Sequence, residues 1–550
     1  ATLELDDAKA RVQREACAAV LREYGVTRGS GGDGAAPPTE PPAADAQPKS
    51  GTASRATVVL PSGAGKTVCA LRVTEALGSQ LTLVLVPSIE LVSQTYREWE
   101  RWREQGALDG WQPLAVVSSS SVPTLPRTTK VDEIVSYLRS SRDRPQVIFC
   151  TYHSAARVAE ALDGEQRAVD LLICDEAHRC TGRRTKRDAQ PLSDGFLRAS
   201  RRLFLTATPR LLGAKRDKEG ELMAVGSMDD EALFGRVVYR LAYSDAVARR
   251  IVAPLKLVFL DLTKLVEEYG LAPPPASSLV ALGDAGGGGV ASRELAELSA
   301  AMLDCHRRHG VRTAFCFCSS NARAAELERV ARSSLAAHGV ALGRVSGRMN
   351  APARAQVLDP VRRAASTPLP AEPTNGSMAI VTNCRVLGEG VDLPAVDLVV
   401  FADAKQSHVD ILQCMGRASR RSLGKEFGHV LVPMSEEDSS AYETAVSVVR
   451  AYAEQDEEFK EALAYLVAEE ARLGRPLRRE EWPEGLQAAI VLPADAMSVQ
   501  RMVGERLVAT VAVELVDRWE RMYGLLQAYR AREGSANVPA EHEEGGGAAG

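Results

Sequence analysis

The sequence predicts an α/β protein made of two successive parallel-sheet domains and a mainly helical C-terminal region. Three observations carry that expectation. Short β-rich runs alternate with helical patterns over residues 57–205, and a second series of the same kind covers 255–432. The first run, 57–60, leads into a glycine loop and then a helical pattern. Past Pro433 the β-rich runs stop, and charged helical patterns occupy 436–474 and 496–533.

Composition limits the function classes. The 550 residues hold 67 Lys+Arg against 72 Asp+Glu, a net charge of −5, and 45% are hydrophobic. That balance excludes a chain disordered throughout, and collagen-like or mucin-like structure. No apolar run reaches the roughly 18 residues needed to cross a bilayer, so a soluble protein without a membrane partner is expected. The chain starts acidic, with neither an initiator Met nor the basic-then-apolar opening of a secretory signal, as an excised fragment would. Its ten cysteines include no Cys-x-x-Cys pair and are expected to be reduced thiols of an intracellular protein. The mildly negative total gives no sign of a nucleic-acid partner.

In chain order, residues 7–24 have helical periodicity with Val12, Ala16, Ala19 and Val20 on one face, so 1–28 is an N-terminal helix. Residues 29–54 are Gly, Pro, Ala, Thr and Ser with almost no large apolar side chain, and are expected to stay disordered. The first α/β domain follows over 55–250, with β-rich runs at 57–60, 81–87, 114–118, 146–150, 171–174 and 202–205. The second covers 251–435, with runs at 255–260, 313–318, 341–345, 378–381, 398–401 and 429–432. Within it, 273–289 holds Pro-Pro-Pro and Gly-Gly-Gly-Gly and reads as a mobile surface excursion. Cys316 and Cys318 alternate on a strand and point together into core. Cys305 and His309 share a helical face, but no second half of a metal site accompanies them, and an exposed basic helix is expected. The third part is 436–550.

The chemistry concentrates at two places. Leu60-Pro-Ser62-Gly63-Ala64-Gly65-Lys66-Thr67 stands between strand and helix. The generic phosphate loop has Gly where Leu60 stands, yet the chemical parts are kept. Gly63 and Gly65 let backbone N–H groups turn toward phosphates beside Ser62 and Ala64, Lys66 can reach their oxygens, and Thr67 can ligate Mg²⁺ at a helix N-terminus. The apolar strand 171–174 then delivers Asp175 and Glu176 at its carboxyl end, where α/β sheets place ligands. Asp175 would hold Mg²⁺ and Glu176 would orient and deprotonate the attacking water. Taken singly, the loop also fits a glycine turn with a solvated Lys, and the pair a helix cap; one after the other in the same domain, those bland readings lose weight.

With Asp175-Glu176-Ala177-His178, the loop in this form and Thr206-Ala207-Thr208-Pro209-Arg210, the chain resembles the superfamily 2 helicases and translocases of the DEAD/DEAH class, in which Leu or Ala commonly stands at the place of Leu60. The resemblance implies two RecA-like domains with ATP and Mg²⁺ in the cleft between them. Residues 382–394 look like motif V, which gives Thr382 a nucleic-acid contact and Gly390 and Asp392 a place at the nucleotide. Residues 413–421 look like motif VI, which makes Arg417 and Arg420 arginine fingers. His178, Thr206, Thr208 and Gln413 become coupling residues, His178 and Gln413 as partners. Ser88 and Gln94 fall in a motif Ia, and Thr151 in a motif Ib; by resemblance these touch the nucleic-acid backbone, although Ser88 and Thr151 equally suit helix N-caps. Gln13 invites comparison with the superfamily's adenine-reading glutamine, though it lies far upstream, and a solvent-facing helical Gln fits equally.

Trp99, residues 128–134, 175–182 and 401–407 are similar to the DEAH helicases related to restriction-enzyme motor subunits. Residues 519–539 resemble the first part of a helicase-associated repeat, and within them Trp519, Tyr523, Leu526 and Tyr529 form an apolar stripe that would be core in any helical module. The expected protein is an ATP-dependent helicase, with DNA favoured over RNA because no RNA-reading module is visible. The alternatives are a duplex translocase or restriction-type motor subunit that does not separate strands, and a nucleotide-gated clamp with little turnover. Protein partners are not indicated.

Overall fold

Strands apolar on both faces are stable only when helices cover both, and the two β-rich series accordingly form two parallel sheets in separate units. The computed structural model describes residues 2–26, 54–118, 125–140, 143–183, 186–210, 225–261, 288–335, 338–366, 378–384, 396–403, 408–422, 425–434, 439–475 and 477–492, with a few isolated or short stretches besides. Those up to Ile251 form one compact unit and those from Val252 onward a second. The low-complexity stretch 29–54 lies outside the described residues except Ser54, and 273–289 except its last two residues, which open the helix Gly288–His309.

The first unit holds β1 (Ser54–Val59), β2 (Leu81–Val86), β3 (Gln112–Val116), β4 (Arg127–Thr128), β5 (Gln146–Thr151), β6 (Val169–Asp175), β7 (Gly182–Arg183), β8 (Ala199–Thr206), β9 (Val225–Gly226) and β10 (Arg236–Arg240). Eight of them form one sheet in the order β10-β1-β8-β6-β2-β5-β3-β4, while β7 and β9 pair apart. β2, Leu-Thr-Leu-Val-Leu-Val, is buried at all six positions, as a central strand requires. β10, Arg-Val-Val-Tyr-Arg, escapes sequence reading because it is a half-exposed edge strand with charged ends.

The helix α1 (Thr2–Glu23) packs back onto this edge. Its expected face is the observed one, with Val12, Ala16 and Val20 fully enclosed. Glu15 accepts from the Tyr239 hydroxyl at 2.7 Å and from Arg249 at 3.2 Å, and the Tyr24 hydroxyl donates to the Arg202 carbonyl at 2.7 Å. Arg202 itself has no exposed surface. It donates to the carbonyls of Pro191 and Leu197 and pairs with Asp194, which also binds Arg55 at 3.0 Å.

The second unit holds β11 (Leu255–Asp261), β12 (Thr313–Phe317), β13 (Ala341–Val345), β14 (Ala379–Asn383), β15 (Leu398–Phe401), β16 (Gly428–Met434) and β17 (Ile490–Val491), in the order β13-β14-β12-β15-β16-β11-β17. β17 corrects the expectation that strands cease past Pro433: Ile490 and Val491 pair with Leu257 and Val258, too short a run to show a period. The helices Ser439–Gln455 and Glu457–Leu473 occur where helical patterns were read and belong to this unit, with the Tyr452 hydroxyl donating to the Leu255 carbonyl at 3.5 Å. Trp519 and Tyr523 lie outside the described residues. Cys316 and Cys318 sit in the core as expected, and so does Cys305, against the expectation of an exposed helix. All ten cysteines are free, and no cluster of three or more metal-ligating side chains occurs among the described residues.

Asp194→Ala leaves the Arg202 guanidinium enclosed without its carboxylate and is expected to lower unfolding free energy by about 3 kcal/mol, with partial recovery in Asp194→Asn, as read by urea denaturation.

Candidate active site

β1, β8 and β6 are immediate neighbours, Val59 paired with Thr206 and Leu205 with Asp175. Their carboxyl ends therefore deliver the glycine loop, Thr206 and the carboxylate pair side by side, although they lie far apart in sequence. Leu60 is buried and its N–H donates to the Thr206 carbonyl at 3.0 Å. A side chain rather than Gly is accommodated there because the chain is still strand-like.

The turn tightens after Pro61. Gly63 and Gly65 have φ of 89° and 95°, the left-handed region that Gly enters without strain. Ser62 and Gly63 are half-buried and Ala64 is enclosed. Gly65 stands immediately before the helix α2 (Lys66–Ala76), so Lys66 and Thr67 occupy its first turn. A Cβ at Gly65 would come within 2.3 Å of the Gln13 amide nitrogen. Gln13 is 5% exposed, so the fold puts this distant glutamine against the phosphate loop rather than in solvent. Lys66 Nζ lies 3.5 Å from the Leu60 carbonyl oxygen and 3.9 Å from Glu176 Oε1.

Asp175 is enclosed at the end of β6, and its carboxylate accepts from the Glu176 N–H at 3.0 Å. Burial first, and then the Glu176 charge, push its pKa up to about 7, while Lys66 pulls the other way. Such a carboxylate fits a cation. Glu176 has φ 49° and ψ 50°, a left-handed conformation that a non-glycine residue holds at a cost of about 1–3 kcal/mol. His178 is 3% exposed, and burial holds its pKa below the usual range, so the ring is neutral. Its Nδ1 is 3.1 Å from Thr206 Oγ1 and 3.5 Å from Glu176 Oε2. Thr206 Oγ1 also accepts from the Thr208 N–H at 3.1 Å, and the buried Thr208 hydroxyl has no partner among the described residues.

The residues expected at nucleic acid are scattered by comparison. Ser88 caps the helix α3 (Ile89–Arg103), accepting from the Leu91 N–H at 3.3 Å, and Gln94 is half-buried on that helix. Thr151 ends β5 and donates to Ser154 Oγ at 3.1 Å, without capping the helical turn that follows. Thr382, expected at the nucleic acid, is fully enclosed in β14, and its hydroxyl donates to the Ala324 carbonyl at 3.0 Å. Gly390 and Asp392 lie outside the described residues. In the second unit the helix His408–Ala418 carries half-buried Gln413 and enclosed Arg417, and half-buried Arg420 follows it.

Two supports went unread in the sequence. The Tyr152 hydroxyl donates to the Asp175 carbonyl at 2.7 Å and braces the end of β6. Lys425, 5% exposed, donates to the carbonyls of Val396, Ala418 and Arg420 and so closes the end of the helix that bears Arg417, while burial pushes its pKa down to about 7. A cation just past a helix end is the one signal that pointed there, and a solvated Lys gives the same signal.

Fold and site together define a phosphate-loop protein with two RecA-like domains. Residues 9–211 match the family described as "Type III restriction enzyme, res subunit", and 295–422 match the "Helicase conserved C-terminal domain". Both matches are to domains of superfamily 2 helicases of the restriction-enzyme motor type, which the chain resembles. It is similar to a putative DNA 3'-5' helicase Rad25 of Halobacterium salinarum, 30% identical over 170 residues, 31% of this chain and 23% of that protein. It is also similar to a probable helicase of African swine fever virus, 23% identical over 387 residues, 69% of this chain and 38% of that protein. The chain thus spans well under half of either relative. Among solved structures, the ATP-dependent Type ISP restriction-modification enzyme LlaBIII bound to DNA aligns with a TM-score of 0.66 at 22% identity, covering 94% of this chain and 33% of that one. A nuclease-deletion mutant of the Type ISP enzyme LlaGI with a DNA substrate mimic aligns at 0.56 and 21% identity, covering 88% and 32%. These two likenesses show the fold.

The Asp175 carboxyl keeps its proton up to about pH 7 in the folded chain, but only to the ordinary aspartate value near 3.8 when unfolded. Its contribution to stability is therefore present below pH 3.8 and lost as pH rises through 7. The melting temperature of the nucleotide-free protein should fall more steeply between pH 5.5 and 8 than that of Asp175→Asn; parallel profiles would remove Asp175 as the cause.

Proposed function

We propose that this chain is an ATP-dependent nucleic-acid motor that acts on DNA in preference to RNA. The observation that carries it is the side-by-side delivery of the glycine loop, Thr206 and the Asp175–Glu176 pair by three adjacent strands, with Lys66 3.9 Å from Glu176. Lys66 and the loop N–H groups hold the phosphates. Thr67 and Asp175 would hold Mg²⁺, and the buried carboxylate with a pKa pushed to about 7 is suited to a cation. The ion, when bound, neutralises phosphate charge. Gln13, pressed against Gly65, is suited to an adenine contact.

Glu176 orients water and takes its proton, and its left-handed backbone fixes the direction of the carboxylate. Arg417 and Arg420 are the arginine fingers that the resemblance implies, and Lys425 closes the end of the helix that carries Arg417. Neutral His178, Thr206 and Thr208 form a relay from the carboxylates, and the unpartnered Thr208 hydroxyl is free to take a new acceptor on nucleotide exchange. Gln94 and Thr151, with backbone N–H groups near Ser88, would contact the phosphodiester chain on the same carboxyl edge. The family description of residues 9–211 favours a second reading, a restriction-type motor that tracks duplex DNA without separating strands.

ATP turnover measured with single- and double-stranded DNA and RNA tests the motor reading: DNA should stimulate most, and no stimulation by any polymer would remove it. Duplex stimulation without strand displacement selects the second reading. Glu176→Gln should retain ATP binding and lose turnover by about 10²–10⁴-fold; retained turnover would take Glu176 out of its role.

A further inference from the structure

One buried contact joins α3, which begins at the candidate strand-binding end, to the phosphate loop. The inner stripe of α3 is Val92, Thr95, Tyr96 and Trp99, all enclosed, and Gln94 lies about 140° around the helix from Trp99. Trp99 has no exposed surface, and its indole N–H donates to the backbone carbonyl of Thr67 at 3.0 Å. A carbonyl has two lone pairs, so this bond adds to any helical one that Thr67 makes. The ring packs against Phe149 and Trp111, with centroids 5.4 Å and 6.0 Å away, and Tyr96 packs in turn on both of those rings. Further along, the Arg72 guanidinium of α2 lies over the Trp102 ring of α3 at 5.0 Å. With two such attachments, a displacement of α3 must be felt in the first turn of α2.

We propose that Trp99 is a positioning residue whose bond to the Thr67 carbonyl transmits nucleic-acid engagement at the Ser88 end of α3 to the phosphate loop. It thereby sets the polymer-stimulated rate of hydrolysis and leaves ATP affinity alone. The inference rests on the motor reading. A rigid helix carries it: one side meets the strand while the other grips the loop, and the indole N–H makes the hydrogen bond by which that inner face holds the first turn of α2. Packing alone needs an aromatic ring at 99; the N–H adds direction, because it fixes which atom of α2 the ring follows.

The test is steady-state ATPase of the full chain with and without saturating DNA, alongside DNA affinity by fluorescence anisotropy. Trp99→Phe keeps a ring in the cluster and removes only the donor. The ratio of stimulated to unstimulated kcat should fall about fivefold or more, with KM for ATP and DNA affinity within about twofold of wild type. Trp111→Phe, an equal change in the same cluster without a bond to the loop, should keep the ratio. A retained ratio in Trp99→Phe, an equal fall in both rates, or the same loss in Trp111→Phe would overturn the proposal. A wild-type chain stimulated by no polymer overturns the motor reading and the inference with it, which separates the two failures. If Trp99→Phe does not fold, Arg72→Leu, which severs the second attachment, should also lower the ratio, and an unchanged ratio there is decisive against the proposal.

Discussion

The hydrogen-bonded register of β1, β8 and β6 is the constraint on which the rest of the site depends. Neighbouring strands sit about 4.8 Å apart, so three adjacent carboxyl ends fall within about 10 Å whatever their separation along the chain. Because Val59 pairs with Thr206, and Leu205 with Asp175, the glycine loop, the hydroxyl relay and the carboxylates leave the sheet at one height. A slip of one residue would turn Asp175 toward the opposite face.

That register creates an electrostatic problem and a strained site. It sets the enclosed Asp175 carboxyl beside that of half-buried Glu176, with Lys66 opposing their repulsion, holds Glu176 in a left-handed conformation and leaves the Thr208 hydroxyl without a partner among the described residues. Each feature opposes folding. They persist because the sheet beneath is buried on both faces, and they gather where charge and water would have to be handled during hydrolysis.

The phosphate loop is also bracketed from two sides. Gln13 of α1 fills the space that a side chain at Gly65 would need, and Trp99 of α3 holds the Thr67 carbonyl. The first contact depends on α1 docking at the β10 edge through Glu15, Tyr239 and Arg249. The net charge of −5 says little about such a protein, because backbone N–H groups and hydroxyls at strand ends can hold a nucleic-acid backbone with few cations.

The sequence by itself determined the strand series, the glycine loop, the carboxylate pair and the inner face of α1. These are local patterns: apolar runs for central strands, period 3.6 for the helix, glycines where φ must be positive. It did not reveal β10 or β17, whose edge position and two-residue length leave no period, nor the burial of Cys305 and Thr382. Only the tertiary structure decided that Gln13 reaches Gly65, that Trp99 bonds to Thr67 and that Lys425 closes a helix end. The physical reason is range. Backbone preference and hydrophobic period act over a few residues and specify what each segment becomes, whereas partners across a sheet or between helices are selected by packing among segments far apart in the chain.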